Sequence, residues 1–262
     1  MPTVASLHLY PVKGMGGISL DASPVEARGL RHDRRWMLVD GNGRFLSQRA
    51  IPAMCLFRPE MREDSMRIAG PDGSTVDVPL GSEGERLTVQ VWASYCDAIR
   101  VPPFVDEWFS ERMEMPVRMV YMPDDSIRPT HPDFTRPGDK VGFADAMPVL
   151  VASRASLDSL NARLAEPLPM NRFRPNIVVE GVSAHEEDAW PGFELSGVRF
   201  RAAKKCGRCQ VTTTNQETAE VGIEPLRTLA NYRLEGNAVY FGAYFVPEGE
   251  GVVSVGDALV FS

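Results

Sequence analysis

The sequence has few of the residues that tie a chain together through disulfides or zinc. Its 262 residues include only four cysteines and four histidines. Cys55 and Cys96 stand alone in apolar segments and are predicted to be buried small hydrophobic side chains. No closely spaced pair occurs among the histidines, which are His8, His32, His131 and His185. A disulfide framework is therefore not expected. We expect the protein to be located in a reducing compartment, the cytoplasm.

Long apolar runs and an excess of positive charge are also missing. No apolar segment approaches the ~18 residues that cross a bilayer, and "MPTVASLHLYPVKG" lacks the basic start of a signal peptide. The formal net charge is −7, which argues against non-specific binding to nucleic acid or to an acidic membrane. We therefore expect neither partner. A monomer is expected because no long apolar surface stripe is evident.

The patterning of the chain predicts a mainly β fold with a few helices. The segments "RRWMLVDGNGRFLSQR" and "MRIAGPDGSTVDVPL" predict hairpins, and short strands with tight turns favour a small barrel or sandwich. Helical spacing occurs in "PPFVDEWFSERM", with Phe104, Val105, Trp108 and Phe109 on one side. A second helix is predicted in "SRASLDSLNARLAEP", with Ser153 or Ser156 as its cap, and a third after Pro225.

Further strands are predicted in the second half of the chain, in "NIVVEG", "VRFRAAKK", "AVYFGAYFVP" and "GVVSVGDALVF". Between the two halves, "RPTHPDFTRPGDKVGFADA" is rich in Pro, Asp and Gly and predicts a long ordered loop. Loops of that length in a compact domain are often functional.

The other two cysteines, Cys206 and Cys209, are three positions apart in "KKCGRCQVTTTNQ". A structural zinc site would need a second close pair of ligands. A thioredoxin-like pair would need a helix after its first cysteine, whereas the β-branched "QVTTT" favours extended chain. Two further interpretations are a packed strand edge and one exposed thiolate in a basic setting, suited to a soft metal or to nucleophilic chemistry. The spacing alone leaves all four open.

The longer segment "KKCGRCQVTTTNQETAEVGIEPLRTLANYR" resembles the signature of MOSC-domain proteins, which hold a molybdenum cofactor. Other blocks resemble that family in the same order, among them "LYPVKGMGG", "GLRHDRRWMLVD", "GFADAMPVLVASRASLDSLNARL", "RFRPNIVVEG", "EEDAW" and "FGAYFVPEGEGVVSVGD". The resemblance spans essentially the whole chain. It implies an N-terminal MOSC β-barrel domain over residues 1–122 and a MOSC β-barrel domain over residues 123–262.

The resemblance also implies roles for single residues. Cys209 would ligate molybdenum and Cys206 would not, and a thiolate suits a sulfur-rich metal sphere. Gly14 departs from the family pattern, in which a hydroxyl residue is frequent, so one phosphate contact would be missing. Other basic and polar residues match cofactor-binding positions of the family, although each alone would suggest only solvated charge or a turn: Lys13, Arg34, Arg174 and Asn176.

Acidic and hydroxyl residues complete the implied site. By resemblance, Asp145 lies near the metal, where a carboxylate could help deliver protons. Glu187 and Asp188 are expected to be solvated, while the family block implies a cofactor-proximal role for Asp188. Thr212 and Thr213 follow Cys209 and would hydrogen-bond cofactor oxygens, with ordinary strand residues as the alternative.

The function implied by the resemblance is reduction of N-hydroxylated compounds such as amidoximes, hydroxylamines and N-hydroxylated bases. No cysteine follows Cys209, and no Gly-rich nucleotide fingerprint is present. Electrons are therefore expected from a separate ferredoxin- or cytochrome-type carrier with a flavin reductase. One alternative is a non-catalytic carrier of molybdenum cofactor or of persulfide sulfur on Cys209. Another is a regulatory or structural binding module. A pyridoxal phosphate site is not expected.

Overall fold

The computed structural model describes residues 1–81, 83–128, 132–134 and 136–261. His131 and parts of the predicted long loop lie outside the described residues. The described chain is mostly β-strand, as predicted. Its three α-helices are α1 (Pro103–Met113), α2 (Arg154–Asn161) and α3 (Leu226–Arg233).

The strands are β1 (Thr3–Leu9), β2 (Ile18–Leu20), β3 (Ala22–Glu26), β4 (Gly29–Leu30), β5 (Trp36–Val39), β6 (Arg58–Met61), β7 (Ser65–Ala69), β8 (Thr75–Pro79), β9 (Arg86–Val91), β10 (Ser94–Arg100), β11 (Arg118–Tyr121), β12 (Val149–Ser153), β13 (Ile177–Glu180), β14 (Gly192–Leu195), β15 (Val198–Gly207), β16 (Leu234–Glu235), β17 (Ala238–Glu248) and β18 (Gly251–Ser254). Short 3-10 segments cover Pro52–Leu56, Pro132–Phe134, Met170–Arg172, Glu186–Ala189 and Gln210–Thr213. Within the described residues, no helix combines the length and the apolar character that a bilayer crossing needs.

The largest sheet has the order β14-β15-β17-β12-β13-β1-β2, and β16 adds to β17. Its neighbours are antiparallel except for β12 and β13, which are parallel and joined through α2. Buried Val, Ile, Leu and Phe side chains from this sheet form the main core. β12 is buried along its whole length, as is typical of a strand that is covered on both faces.

Three smaller sheets have the orders β5-β11-β10-β9, β18-β3-β4 and β6-β7-β8. Strand pairing crosses the predicted domain boundary in both directions. The N-terminal β1 pairs with β13, and the C-terminal β18 pairs with β3. The division at residues 122 and 123 stays a prediction, and each of the two segments supplies strands to the other's sheet.

Two helices test the sequence patterns directly. Ser153 caps α2 as predicted, because its Oγ accepts a hydrogen bond of 3.0 Å from the Ser156 amide. In α1, Val105 and Phe109 are buried but Phe104 is 51% exposed, so the apolar side predicted for this helix is only partly buried. Predicted burial is confirmed for the isolated cysteines Cys55 and Cys96.

The hairpin prediction succeeds for β7 and β8, which pair around a tight turn. It is wrong in part for the segment after β5. There Asp40 makes the turn, accepting the amides of Asn42 and Arg44 at 2.8 and 2.9 Å. The returning chain forms only a single bridge between Val39 and Phe45, because β5 pairs along its length with β11.

Gly242 gives a direct test of this packing. It lies in β17 with φ +74°, and a Cβ there would approach the Val151 carbonyl oxygen to 2.6 Å. We expect Gly242→Ala to lower the free energy of unfolding by roughly 2 kcal/mol through backbone strain and the clash. Chemical denaturation measures this change. Gly41→Ala is the matched control, since nothing lies within 4 Å of its added methyl group. Equal effects of the two substitutions would contradict the packing.

Candidate functional site

A cleft of about 610 Å³ opens where the N-terminal and C-terminal segments meet. That volume lies within the range of roughly 300–1,000 Å³ usual for cofactor and ligand sites. Much of its wall comes from Lys13, Gly14, the Ser47–Arg49 segment, the Ala144–Met147 loop and the Lys204–Cys209 segment at the end of β15. These segments are far apart in sequence, so the cleft exists only in the folded chain.

The two cysteines of the close pair have different surroundings. The pairing of β15 with β17 is irregular near its end, and Cys206 is buried there with 1% exposure. Its sulfur accepts a hydrogen bond of 2.8 Å from Arg208 Nη1. Cys209 is partly exposed, and its sulfur has no hydrogen-bond partner among the described residues. Both thiols are free and line the cleft, but only that of Cys209 is uncommitted.

The chain after Cys209 is not extended, so that expectation was wrong. Gln210–Thr213 forms a turn of 3-10 helix. Thr212 Oγ1 donates to the Cys209 carbonyl at 2.9 Å, and Thr213 Oγ1 donates to the Gln210 carbonyl at 2.8 Å. Such hydroxyl-to-backbone bonds compete with strand pairing. Both threonines are buried and lie outside the cleft lining, where they hold the turn that presents Cys209.

Arg34 and Arg174 lie over one aromatic ring. Each guanidinium carbon is 4.3 Å from the centroid of the Tyr10 ring, and both arginines have left-handed backbone conformations. Arg34 is paired with the buried Asp33 at 2.5 Å. Arg174 has no carboxylate partner among the described residues, and burial lowers its pKa to about 10. Both side chains line the cleft, and Arg174 stays protonated at neutral pH.

Lys13 and Asp145 form an ion pair that joins the two halves of the chain. Lys13 is 5% exposed, and its Nζ donates to the Phe143 carbonyl at 2.8 Å as well as to Asp145 Oδ1. The Trp92 indole donates to the same Oδ1 at 3.1 Å. Burial alone would raise the pKa of Asp145, but the charge of Lys13 and these hydrogen bonds hold it well below its usual range. Burial lowers the pKa of Lys13, and Asp145 opposes that shift.

Asn176 lies at the edge of the cleft with its amide already bonded to backbone. Its Oδ1 accepts from the Leu150 amide at 3.1 Å, and its Nδ2 donates to the His8 carbonyl at 3.3 Å. A fully buried amide of this kind ties β12 to β1. The side chain therefore positions the strands that carry the cleft wall.

Glu187 and Asp188 are not solvated, so that expectation was wrong. Glu187 is fully buried, and its Oε1 accepts from the Ser153 amide at 3.2 Å and from Ser156 Oγ at 2.8 Å. Asp188 forms an ion pair with Arg233 and lies outside the cleft lining. The run of acidic residues looked like a surface segment because its partners are distant in sequence.

Two side chains outside the predicted set of site residues also line the cleft, Tyr244 and Arg208, the latter one of the basic neighbours of the cysteine pair. Arg208 Nη2 donates to the Phe173 carbonyl at 2.6 Å, while its Nε is buried without a hydrogen-bond partner among the described residues. Burial, and then the neighbouring Cys206, raises the pKa of Tyr244, which stays a neutral phenol. The position of Arg208 inside the cysteine pair was a usable signal, whereas nothing in the sequence marks Tyr244.

Gly14 also lines the cleft, and because it has no side chain its backbone forms part of the cleft wall. Its φ is +84°, and an added Cβ would lie 2.9 Å from Met54 Cε. Gln48 Nε2 donates to the Gly14 carbonyl at 2.7 Å and fixes this conformation. A hydroxyl residue at position 14 would therefore be strained here, which gives a physical reason for the glycine.

Comparison with known proteins accounts for both halves of the chain. The MOSC domain model matches residues 138–260, and the model of the MOSC N-terminal beta barrel domain matches residues 1–116. The chain is 30% identical over 275 residues to mitochondrial amidoxime-reducing component 1 of Homo sapiens, covering 97% of this chain and 81% of the relative. The chain belongs to the MOSC family. The predicted boundary after residue 122 falls between the two matched segments.

Two other proteins are also similar to parts of the chain. Molybdenum cofactor sulfurase of Drosophila melanogaster is 28% identical over 254 residues, covering 93% of this chain and 31% of that protein. The crystal structure of YiiM from Geobacillus stearothermophilus superposes with a TM-score of 0.34 at 16% identity, over 44% of this chain and 54% of that chain.

The ion pair in the cleft makes a prediction about proton affinity. Asp145→Asn removes the charge that favours the ammonium form of Lys13, so we expect the pKa of Lys13, already lowered by burial, to fall further. The deprotonation of Lys13 then begins at lower pH. Carbon NMR of labelled lysine Cε atoms measures this, because the chain has only four lysines.

Assignment of the signal comes from Lys13→Arg, in which one of the four resonances disappears. Asp125→Asn is the matched control, since that carboxylate pairs with Arg86 on the surface. An unchanged Lys13 titration in Asp145→Asn would contradict the pairing.

Proposed function

We propose that this chain is a molybdenum-cofactor-dependent oxidoreductase. It reduces N-hydroxylated compounds, such as amidoximes, hydroxylamines and N-hydroxylated bases, with electrons from a separate redox protein. The observation that carries the proposal is the uncommitted Cys209 thiol at the wall of a cationic cleft. The name of the human relative, an amidoxime-reducing component, supports the reaction class.

The residues of the cleft fit such a cofactor. A pterin dithiolene with a terminal phosphate needs a soft ligand beside the metal and cationic or N–H donors at the phosphate. Cys209 would supply the thiolate, and the charge-assisted donors would be Lys13, Arg34 and Arg174. Arg208 Nε, buried without a partner among the described residues, would gain an acceptor from the bound group. Gly14 would leave room for close approach of its backbone.

The remaining predicted residues act through the ones that touch the cofactor. Thr212 and Thr213 hold the turn after Cys209, and Asn176 ties together the strands beside Arg174. Asp188 pairs with Arg233, which donates to the carbonyl of Tyr240, a residue of the cleft lining. In this proposal they are positioning residues.

Reduction of an N-hydroxyl group consumes two electrons and two protons and gives an N–H group and water. When bound, the cofactor supplies the two-electron removal of the oxygen atom. Lys13 Nζ holds a proton beside the cleft, and two of its three N–H donors are occupied by Phe143 and Asp145. Its third donor is available to a bound anion.

Asp145 contributes through its charge. Its pKa lies well below the usual range, so at neutral pH the carboxylate is ionised and keeps the proton on Lys13. Its side chain is 49% exposed, which places the ionised oxygen atoms against the water of the cleft. Asp145 therefore keeps Lys13 protonated as a cationic donor beside the cleft, and a proton that Lys13 gives up is replaced from the water of the cleft.

The electron source is a separate protein in this proposal, a ferredoxin- or cytochrome-type carrier with a flavin reductase. The word "component" in the name of the human relative fits a protein that works with others. A cytoplasmic location is proposed from the cysteine usage, and the named relative is mitochondrial.

The match to a molybdenum cofactor sulfurase supports a second candidate, a carrier that binds the cofactor or a persulfide at Cys209 without turnover. The two candidates share the binding site and differ only in whether substrate is reduced.

The unequal surroundings of the two cysteines predict unequal effects of substitution. Cys209→Ala should abolish the retention of molybdenum, because it removes the metal's protein ligand. Cys206→Ala should leave most of it, because that sulfur is committed to Arg208. Elemental analysis of both variants, purified from a host that makes the cofactor, measures this. Equal losses would point to zinc or to a disulfide couple instead.

Reductase activity is tested in an anaerobic assay with a reduced viologen as donor. The loaded protein should oxidise the viologen and convert a benzamidoxime to the amidine, whereas NADH alone should give no turnover. Cys209→Ala is the matched inactive control. A molybdenum-loaded protein that stays inactive across several N-hydroxylated compounds would contradict the reductase and favour the carrier.

A further inference from the structure

The positively charged side chains of the cleft lie over aromatic rings. Seven Lys and Arg side chains line it, and Asp145 is the one acidic residue among the described lining residues. Each of the seven cations lies over an aromatic ring, with distances of 4.3 to 5.5 Å to the ring centroid. An aromatic face attracts a cation without neutralising it. The arrangement holds the cations in place and leaves their charge available.

Carboxylates neutralise only part of this charge. Lys13, Arg34 and Lys205 have carboxylate partners in Asp145, Asp33 and Glu235. The other four cations have none among the described residues. The chain as a whole carries a net charge of −7, so a cleft with excess positive charge stands out from its surroundings. Such a cleft concentrates anions.

The four unneutralised cations lie at two depths. Arg174 and Arg208 lie over Tyr10 and Phe173, whose rings are buried. These two belong to the cofactor site proposed above. Arg49 and Lys204 lie over rings that are partly exposed, and we call these two residues the mouth cations.

Arg49 is exposed and Lys204 is half-buried. They lie over Trp92 and Phe134 at 4.5 and 4.6 Å, and each ring is itself 38% exposed. The Trp92 indole also donates a hydrogen bond to Asp145, which lines the cleft. The ring beneath Arg49 is therefore fixed to the cleft wall. Arg49 and Lys204 therefore lie over rings that solvent reaches, whereas Arg174 and Arg208 lie over buried rings.

We propose that Arg49 and Lys204 recognise a negatively charged group on the substrate. The preferred substrates are then N-hydroxylated compounds that carry an acidic group, a carboxylate or a phosphate, at the end remote from the N–O bond. This inference rests on the proposed function, because it names the substrate class of the same site. An acidic group pairs with the mouth cations while the N–O group points into the cleft.

A matched pair of compounds tests the inference, benzamidoxime and its para-carboxylate. With reduced viologen as donor, we expect a KM about tenfold lower for the carboxylate, the size of one charge-assisted hydrogen bond at partial exposure. Arg49→Gln and Lys204→Gln should each raise that KM several-fold and leave the KM for benzamidoxime unchanged. Arg163→Gln is the matched control, since Arg163 lies over Tyr232 at 4.5 Å and does not line the cleft.

Calorimetric binding of the para-carboxylate to the purified, loaded protein gives a readout without turnover. Tight, salt-sensitive binding that weakens in Arg49→Gln supports the inference even if no compound is reduced, in which case only the reductase proposal fails. Equal KM values for the two compounds, with no effect of either mouth substitution, overturn the inference and leave the reductase standing.

A third arm replaces viologen by a protein donor. If Arg49→Gln slows turnover only with the protein donor, and affects both compounds alike, the mouth cations dock an acidic redox protein. That outcome also overturns the inference.

Discussion

The pairing of β1 with β13 is the constraint on which the candidate site depends. It brings the first residues of the chain into the C-terminal sheet, and the segment after β1 then reaches the cleft. Lys13 meets Asp145 there, and Tyr10 provides the ring beneath Arg34 and Arg174. The β18–β3 pairing closes the same connection from the other end of the chain. The cleft is therefore a property of both MOSC segments together.

Burying cations is costly unless they are paired or otherwise compensated. The structure meets this cost in two ways in the cleft that Cys209 lines. The buried ammonium group of Lys13 is paired with the carboxylate of Asp145. Each partner favours the charged form of the other, which opposes the effect of burial on both pKa values. The guanidinium groups of Arg174 and Arg208 lie over aromatic rings instead, and they donate to the Gln216 side-chain oxygen and to the Phe173 carbonyl, respectively. The result is a cleft that attracts anions in an acidic protein, with one thiol left uncommitted.

Local patterns predicted much of the fold, since a strand, a helix cap or a turn depends on residues close in sequence. Ser153 as the α2 cap and the β7–β8 hairpin are examples. The errors arise where distant partners decide. Glu187 looked solvated because the groups that it binds lie more than thirty residues away. Trp92 lies 53 residues from Asp145, so no spacing could connect them. For the site, the resemblance supplied the residues, and the structure supplied their partners.

The other functional assignments depend on the proposal that this cleft holds a molybdenum cofactor. Its most direct test is the combined analysis of metals and pterin in the wild-type protein, purified without added metal from a host that makes the cofactor. We expect molybdenum and pterin in equal amounts, close to one of each per chain, with zinc only in traces. Protein that is fully folded but contains neither molybdenum nor pterin, or that contains stoichiometric zinc, would contradict it.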